Sequence, residues 1–189
     1  TMGFSVPAAL GATFGCSDRT ICAFMGDGGL QMNLQELGTI MEQKAPVKMI
    51  LMNNNYLGNV RQWQAMFFGG RYSFTPMVNP DYMLIAKAYG IPSRRVMDRE
   101  ELQDAVREML ATEGPFLLEA CVIEEGNVMP MTPPGGTVDQ MMLEFPVLEP
   151  TSRIFLFDNS NNSSNEICLF LHHGHQFTEE KLISILPKN

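Results

Sequence analysis

Between residues 20 and 123 the hydrophobic pattern alternates between short apolar runs and longer stretches with helical spacing. Residues 20–25 form a continuously apolar run, which is typical of a buried central strand, and residues 47–52 form a second. The segment 33–45 between them repeats leucine, isoleucine and methionine at helical spacing until Pro46 ends it. These elements predict one β-α-β unit.

The same alternation continues downstream. Residues 80–90 have proline in the first turn and glycine past the end, as a helix often does, and residues 91–96 favour a short strand. A helix is expected from 98 to 114 and a strand over 116–123. The chain is therefore predicted to be an α/β protein with a mostly parallel sheet, right-handed crossovers and helices on both faces.

Local signals refine the helix boundaries. Asn33 with Glu36, and Asp98 with Glu101, have the spacing of capping boxes, which predicts that a helix begins at each pair. The capping role is also the simplest interpretation of Glu36. Residues 6–15 are rich in small side chains and predict a helix that packs closely on the sheet or on a neighbouring chain.

The character of the sequence changes near residue 145. A short helix is expected over 137–144, and residues 1–145 are predicted to form one domain. Residues 146–189 form a tail of unknown structure, which includes the polar low-complexity run 158–165. The histidine cluster at 172–175 has the residue type of a transition-metal site, but a solvated or locally packed cluster is the simpler interpretation.

Composition and charge exclude several functions. The 189 residues are 45% hydrophobic and 18% charged, which indicates one well-buried domain with an appendage. The net charge of −8 disfavours nucleic acid and anionic membranes as partners, and no apolar run approaches the roughly 20 residues of a membrane span. Four cysteines without a C-x-x-C pair are typical of packed, reduced thiols in the cytoplasm. Because the chain starts at Thr1, without a signal peptide, it is expected to be a piece of a longer protein, truncated at its N-terminal edge.

Candidate chemistry follows the first two predicted strands, since ligands of open parallel sheets collect beyond the carboxyl ends of the strands. Glycines surround Asp27 after the first strand, and asparagines occupy 53–55 after the second. The glycines suit a close phosphate, but a carboxylate repels a diphosphate unless a hard cation such as Mg²⁺ lies between them. The pattern therefore predicts a metal diphosphate. A P-loop is absent, and Gln31 replaces the third glycine of G-x-G-x-x-G. The competing interpretation is an ordinary strand-to-helix turn and a polar loop.

Gly26-Asp27-Gly28 and Asn53-Asn54 at this separation resemble the thiamine-diphosphate signature. The wider sequence resembles the C-terminal domain of the catalytic subunit in the acetolactate (acetohydroxyacid) synthase family, over about residues 1–145. The segments that carry this resemblance are 1–11, 26–37, 53–64 and 128–131. The part from 57 to 64 favours this family over other thiamine-diphosphate enzymes.

The resemblance implies roles for ten residues. Asp27, Asn54 and the main-chain carbonyl of Tyr56 would bind Mg²⁺, and the residues that would bind the cofactor are Met2, Gly26, Asp27, Gly28, Gly29, Asn54, Tyr56, Leu57 and Gly58. Met2 would support the bent cofactor, and Trp63 would shape the substrate pocket. An ordinary core methionine and a packing tryptophan are the alternatives for these two. Asn59 departs from the methionine that many family members carry, which leaves the fine substrate preference open.

The same resemblance implies the function of a full-length protein. Such an enzyme condenses pyruvate with pyruvate or 2-ketobutyrate, with loss of CO₂, in the biosynthesis of isoleucine and valine. It implies a homo-oligomer, a regulatory small subunit, FAD in a middle domain and a catalytic glutamate in a pyrimidine-binding domain. Neither domain is in this chain, so it is expected to contain no catalytic residue and to be inactive alone. Another thiamine-diphosphate decarboxylase or oxidase, and a non-catalytic interaction module, remain the alternatives.

Overall fold

The computed structural model describes residues 2–124 and 126–145, together with the backbone of 155–157 and 168–170. The polar run 158–165 and the histidine cluster 172–175 lie outside the described residues. The helices are α1 (Ser5–Gly15), α2 (Asp27–Met32), α3 (Glu36–Gln43), α4 (Gly58–Phe67), α5 (Tyr82–Ala88) and α6 (Leu102–Ala111). The strands are β1 (Ile21–Gly26), β2 (Val47–Asn53), β3 (Ser93–Val96), β4 (Phe116–Cys121), β5 (Phe155–Phe157) and β6 (Cys168–Phe170).

The main sheet has four strands in the order β1-β2-β4-β3, and every neighbouring pair is parallel. The predicted parallel α/β architecture is thereby confirmed. Gly26 at the end of β1 pairs with Met52 of β2, which in turn pairs with Ala120 of β4. The residues that follow β1 and β2 therefore lie side by side at one edge of the sheet. Strands β5 and β6 form a separate antiparallel pair.

Helices cover both faces of the sheet. Because side chains alternate along a strand, Met49 and Leu51 of β2 lie in one core, whereas Ile50 packs against the other. Helices α1, α3 and α5 close the larger core, and α6 closes the smaller one with Ala105 and Met109. Burial of these apolar side chains fixes the sheet, and with it the position of the loops at its carboxyl edge.

The structure corrects the predicted helix starts. Glu36 begins α3, but the N-cap is Gln35, and Asn33 instead donates its amide to the carbonyl of Gly3. Asp98 precedes a 3₁₀ turn without a side-chain cap. In both places the chain enters the helix through an irregular turn, so the capping-box spacing is misleading. The helix expected over 137–144 is a single 3₁₀ turn, Val138–Gln140, which does have a capping box, formed by Thr137 and Gln140.

Two further differences concern α2 and α4. The glycine loop expected after β1 is the start of α2, with Asp27 as its first residue. Helix α4 was not predicted, because the buried positions Arg61 and Gln62 are polar and hide its helical periodicity. Arg61 lies between two aromatic rings, with its guanidinium carbon 4.9 Å from the Tyr56 centroid and 4.8 Å from that of Tyr72.

In the part of the chain that the structure describes, no helix combines the length and apolar character that crossing a bilayer requires. Cys16, Cys22 and Cys121 are free thiols. Cys22 is exposed, which corrects the prediction that every cysteine packs in the interior.

Candidate cofactor and metal site

The carboxylate of Asp27 lies at the end of β1 and is almost completely buried, with 1% of the residue exposed. Its Oδ1 accepts a hydrogen bond from the amide of Gly28 at 2.9 Å, and its Oδ2 accepts one from Nδ2 of Asn79 at 2.7 Å. Among the described residues, no basic side chain forms an ion pair with it. A buried carboxylate is thus held by two neutral donors, an arrangement that burial penalises unless a cation binds.

Asn79 joins the carboxyl ends of β1 and β2, and it was not identified from the sequence. Its Nδ2 lies 2.7 Å from Asp27 Oδ2, 3.0 Å from Asn53 Oδ1 and 3.1 Å from Asn55 Oδ1. The only available signal was its position directly before Pro80, where the predicted helix 80–90 begins. That signal marks a helix start and indicates nothing about a partner 52 residues away.

Asn54 is oriented differently from its neighbours. Its Oδ1 accepts a hydrogen bond from the amide of Tyr56 at 3.2 Å, and its Nδ2 lies against Gly58, where an added Cβ would come within 2.9 Å. Asn79, which donates to Asp27, also donates to Asn53 and Asn55, and among the described residues no hydrogen bond joins it to Asn54. The role of Asn54 as a metal ligand therefore stays a prediction.

A cavity of about 290 Å³ opens beside Asp27. Eight of the ten residues assigned to the site from the sequence line it: Met2, Gly26, Asp27, Gly28, Gly29, Tyr56, Leu57 and Gly58. Asn54 and Trp63 do not line this cavity. Trp63 lies on α4, 40% exposed, with its ring edge-on to Phe67 at a centroid distance of 6.1 Å.

Gly28 packs closely against apolar side chains at the wall of this cavity. A Cβ there would lie 2.7 Å from Leu57 Cδ2, 3.2 Å from Met77 Sδ and 3.4 Å from Met2 Cε. The cavity is bounded by the buried carboxylate of Asp27 on one side and by the apolar side chains of Met2 and Leu57 on the other. Such a space suits a ligand with one charged and one apolar part.

The loop after β2 is held by the segment before α5. The amide of Leu57 donates to the carbonyl of Thr75 at 2.9 Å, and the amide of Met77 donates to the carbonyl of Asn55 at 2.8 Å. Because Thr75 is buried, these bonds fix the backbone on both sides of Tyr56. The main-chain carbonyl of Tyr56 is thus part of an ordered loop.

A second polar group lies deeper under the same edge. Glu119 of β4 accepts hydrogen bonds from Asn53 Nδ2 at 2.7 Å and from Arg95 Nε at 2.6 Å. The bond to Glu119 is the main cause of the raised pKa of Arg95. Tyr82 completes the cluster. Burial is the main cause that raises its pKa to about 12; the hydrogen bond from Gln31 opposes this rise, and the negative charges of Asp27 and then Glu119 add to it.

Comparison with known proteins identifies the family to which the chain belongs. The chain belongs to the thiamine pyrophosphate (thiamine diphosphate) enzymes and matches their C-terminal TPP-binding domain over residues 1–120. A solved structure, the thiamine diphosphate-dependent 4-hydroxybenzoylformate decarboxylase of Rhodococcus jostii RHA1, aligns with a TM-score of 0.61 at 28% identity. That alignment covers 66% of this chain and 24% of the decarboxylase. It agrees with the parallel sheet described above.

Curated relatives with higher sequence identity are acetolactate synthases. The acetolactate synthase isozyme 2 large subunit of Escherichia coli (strain K12) is 41% identical over 143 residues, which is 75% of this chain and 26% of that protein. The chloroplastic acetolactate synthase 2 of Nicotiana tabacum is 39% identical over 151 residues, covering 76% of this chain and 23% of the relative. The resemblance stated from the sequence is confirmed. The chain spans about a quarter of the length of these relatives.

Proposed function

We propose that this chain is the thiamine-diphosphate and Mg²⁺ domain of an acetolactate synthase large subunit. The observation that carries the proposal is the buried carboxylate of Asp27, which lies at the wall of a glycine-lined cavity and has only neutral donors among the described residues. A divalent cation bound by Asp27 and a diphosphate would remove most of the repulsion between the two negative groups. The family match and the acetolactate synthase relatives support the same assignment.

The residues present fit Mg²⁺ by the chemistry of their donors. The candidate ligands are the Asp27 carboxylate, the Asn54 side-chain oxygen and the Tyr56 carbonyl, all of them the hard oxygen atoms that Mg²⁺ prefers. Among the described residues, no group of three histidine, cysteine, aspartate or glutamate side chains could hold a metal ion. The three oxygen donors at Asp27, Asn54 and Tyr56 favour an ion that completes its coordination with phosphate oxygens and water.

The cavity fits the cofactor on similar grounds. When bound, thiamine diphosphate supplies the carbanion chemistry that joins two 2-ketoacids. Gly26, Gly28 and Gly29 line the cavity beside Asp27 and let a diphosphate approach the backbone, whereas Met2 and Leu57 offer apolar surface to the rest of the molecule. The contribution of this chain is therefore to bind, orient and neutralise charge. Trp63 is assigned to the second-ketoacid pocket of the whole enzyme.

The whole enzyme is proposed to condense pyruvate with pyruvate or 2-ketobutyrate and to release CO₂ in isoleucine and valine biosynthesis. The chain spans about a quarter of its relatives, so the proton-transferring glutamate, the flavin-binding domain, a second subunit and a regulatory small subunit are assigned to the rest of the assembly. We expect the isolated chain to show little or no acetolactate formation. Turnover comparable to that of a full-length synthase would contradict this.

A second function in the same class is decarboxylation without condensation. The observation that favours it is the structural likeness to the Rhodococcus jostii decarboxylase, which covers two thirds of this chain. Analysis of the products that the full-length protein forms from pyruvate distinguishes the two, because acetolactate is expected only from the synthase.

The proposal is tested by calorimetric titration of the folded chain with thiamine diphosphate and Mg²⁺. We expect heat of binding that disappears when a chelator removes the ion. Gly28→Ala should weaken binding by about tenfold or more, because the added methyl would lie 2.7 Å from Leu57 Cδ2 and displace a side chain that lines the cavity. Gly11→Ala is the matched control, since a Cβ at Gly11 meets nothing within 4 Å. No binding by the folded chain, even at millimolar cofactor, would favour a non-catalytic interaction module.

A further inference from the structure

The side chain of Asn79 occupies the meeting point of three oxygen atoms from two loops. Asp27 Oδ2 comes from the end of β1, and the Oδ1 atoms of Asn53 and Asn55 come from the end of β2 and the loop that follows. All three lie within 3.1 Å of Asn79 Nδ2. The amide has two hydrogens for three acceptors, so it acts as a shared donor to both loops.

The orientation of this amide is determined by two further residues. Gln31 donates to Asn79 Oδ1 at 2.7 Å, and the Tyr82 hydroxyl donates to the same oxygen at 3.0 Å. A flipped amide would place its oxygen against the Asp27 carboxylate and its nitrogen against two donors. Both consequences are unfavourable, which fixes Nδ2 toward Asp27.

The amide restricts the Asp27 carboxylate. Without it, the structure provides one hydrogen bond to this carboxylate, from the adjacent Gly28 amide to Oδ1. Oδ2 would then be free to rotate about the terminal side-chain torsion, which is soft in aspartate. Asn79 removes that freedom, and Asn53, anchored to the buried Glu119, supports the other end of the bridge.

We propose that Asn79 is a positioning residue that orients the Asp27 carboxylate for a divalent cation and ties it to the loop after β2. The inference rests on the proposed function, because it requires an ion at Asp27. Residues that orient metal ligands in this way commonly contribute about 10–100-fold to metal affinity. A purely structural bridge would instead affect the stability of the fold and leave the affinity of the folded chain unchanged.

The first experiment measures Mn²⁺ binding in the presence of excess thiamine diphosphate, by the electron paramagnetic resonance signal of the free ion. Asn79→Ala should weaken Mn²⁺ binding by about tenfold or more. Gln62→Ala is the matched control, because Gln62 is also a buried amide that joins distant segments, through two 2.9 Å bonds to the backbone of Val128. Its Mn²⁺ affinity should stay within about twofold of the wild-type value.

A second variant keeps the test decisive if Asn79→Ala fails to fold. Asn79→Asp preserves the size of the side chain and the acceptor for Gln31 and Tyr82, but places a second carboxylate against Asp27. Like-charge repulsion should lower the melting temperature of the metal-free chain, and Mn²⁺ should raise it by more than it raises that of the wild type.

The outcomes separate the two proposals. If the wild-type chain binds no Mn²⁺, the proposed function fails and this inference fails with it. If the wild type binds Mn²⁺ but folded Asn79→Ala binds within twofold of it, the inference alone is overturned. An Mn²⁺-induced rise in the melting temperature of Asn79→Asp no larger than that of the wild type also overturns the inference alone.

Discussion

Two buried carboxylates lie near the same edge of the sheet, and their surroundings differ in one respect. Asp27 and Glu119 are each 1% exposed, and each accepts a hydrogen bond from an asparagine amide. Glu119 also has the guanidinium of Arg95, whereas the second donor to Asp27 is the neutral amide of Gly28. Arg95 additionally pairs with Asp81 at 3.0 Å, which anchors it at the start of α5.

The difference separates a structural charge from a binding charge. At Glu119 the chain itself provides the compensating cation, Arg95, so this buried charge is paired without any ligand. At Asp27 no cation among the described residues compensates the charge. Binding of an external cation would therefore relieve the unfavourable free energy of burying it. The two carboxylates are connected through Asn53 and Asn79. The structural carboxylate therefore supports the geometry of the binding one.

The largest expected effect comes from removing the binding charge. Asp27→Asn should weaken Mg²⁺-dependent binding of thiamine diphosphate by at least about 100-fold, since the variant lacks the anionic ligand. The free energy of unfolding of the metal-free chain should change by less than about 1 kcal/mol, because relief of desolvation offsets one lost hydrogen bond. Calorimetry measures the first quantity and urea unfolding the second. A folded variant that retains wild-type binding would refute the role of Asp27.

The reverse pattern is expected for the structural charge. Glu119→Gln should lower the free energy of unfolding by about 1.5–3 kcal/mol, because Arg95 and Asn53 both lose a charged acceptor. Mg²⁺-dependent binding should weaken far less than in Asp27→Asn, since the affected bonds reach the site only through Asn53 and Asn79. Urea unfolding with both variants side by side checks this. Equal losses of stability in the two variants would contradict the division into a structural carboxylate at Glu119 and a binding carboxylate at Asp27.

The sequence predicted the sheet and the position of Asp27 at its edge well, but it did not predict the side-chain contacts that distinguish Asp27 from Glu119. Continuous apolar runs identified β1, β2 and β4, and the position of Asp27 after the first of them placed it at the correct edge. Those signals are local, or depend on the chain order of strands. The bridge made by Asn79 depends on side-chain directions across 52 residues, and no spacing rule encodes such a contact.

Polar residues in buried positions explain most of the remaining errors. Helix α4 escaped prediction because Arg61 and Gln62 occupy its inner face. Glu119 was hidden in the same way, since a charged residue inside an apolar strand gave no indication of its partner Arg95. The predicted capping role of Glu36 failed for a different reason, because α2 and the turn after it take up the chain before α3 begins. A hydrophobic pattern predicts that polar side chains such as these are exposed to solvent or bonded to near neighbours in sequence.

The smallest expected effect is a pH dependence that reports both carboxylates at once. The pKa of Tyr82 is raised from 10.0 to about 12, chiefly by burial and then by the charges of Asp27 and Glu119. The folded chain thus keeps this proton at pH values where the unfolded chain releases it. The contribution of this proton to the free energy of unfolding is therefore present in full below about pH 10. It is lost as the pH rises to about 12, by at most about 2 kcal/mol.

Urea unfolding of the metal-free chain between pH 9 and pH 12 measures this fall, and Tyr82→Phe is the control that lacks the titrating hydroxyl. The difference between the two curves isolates Tyr82 from the other groups that titrate in this range. Asp27→Asn should reduce the fall more than Glu119→Gln does, because the Asp27 charge raises the Tyr82 pKa more than the Glu119 charge does. Identical curves for wild type and Tyr82→Phe would show that the Tyr82 pKa is not raised in the folded chain, by burial or by either carboxylate. A larger reduction in Glu119→Gln would mean that the structural charge dominates at this position.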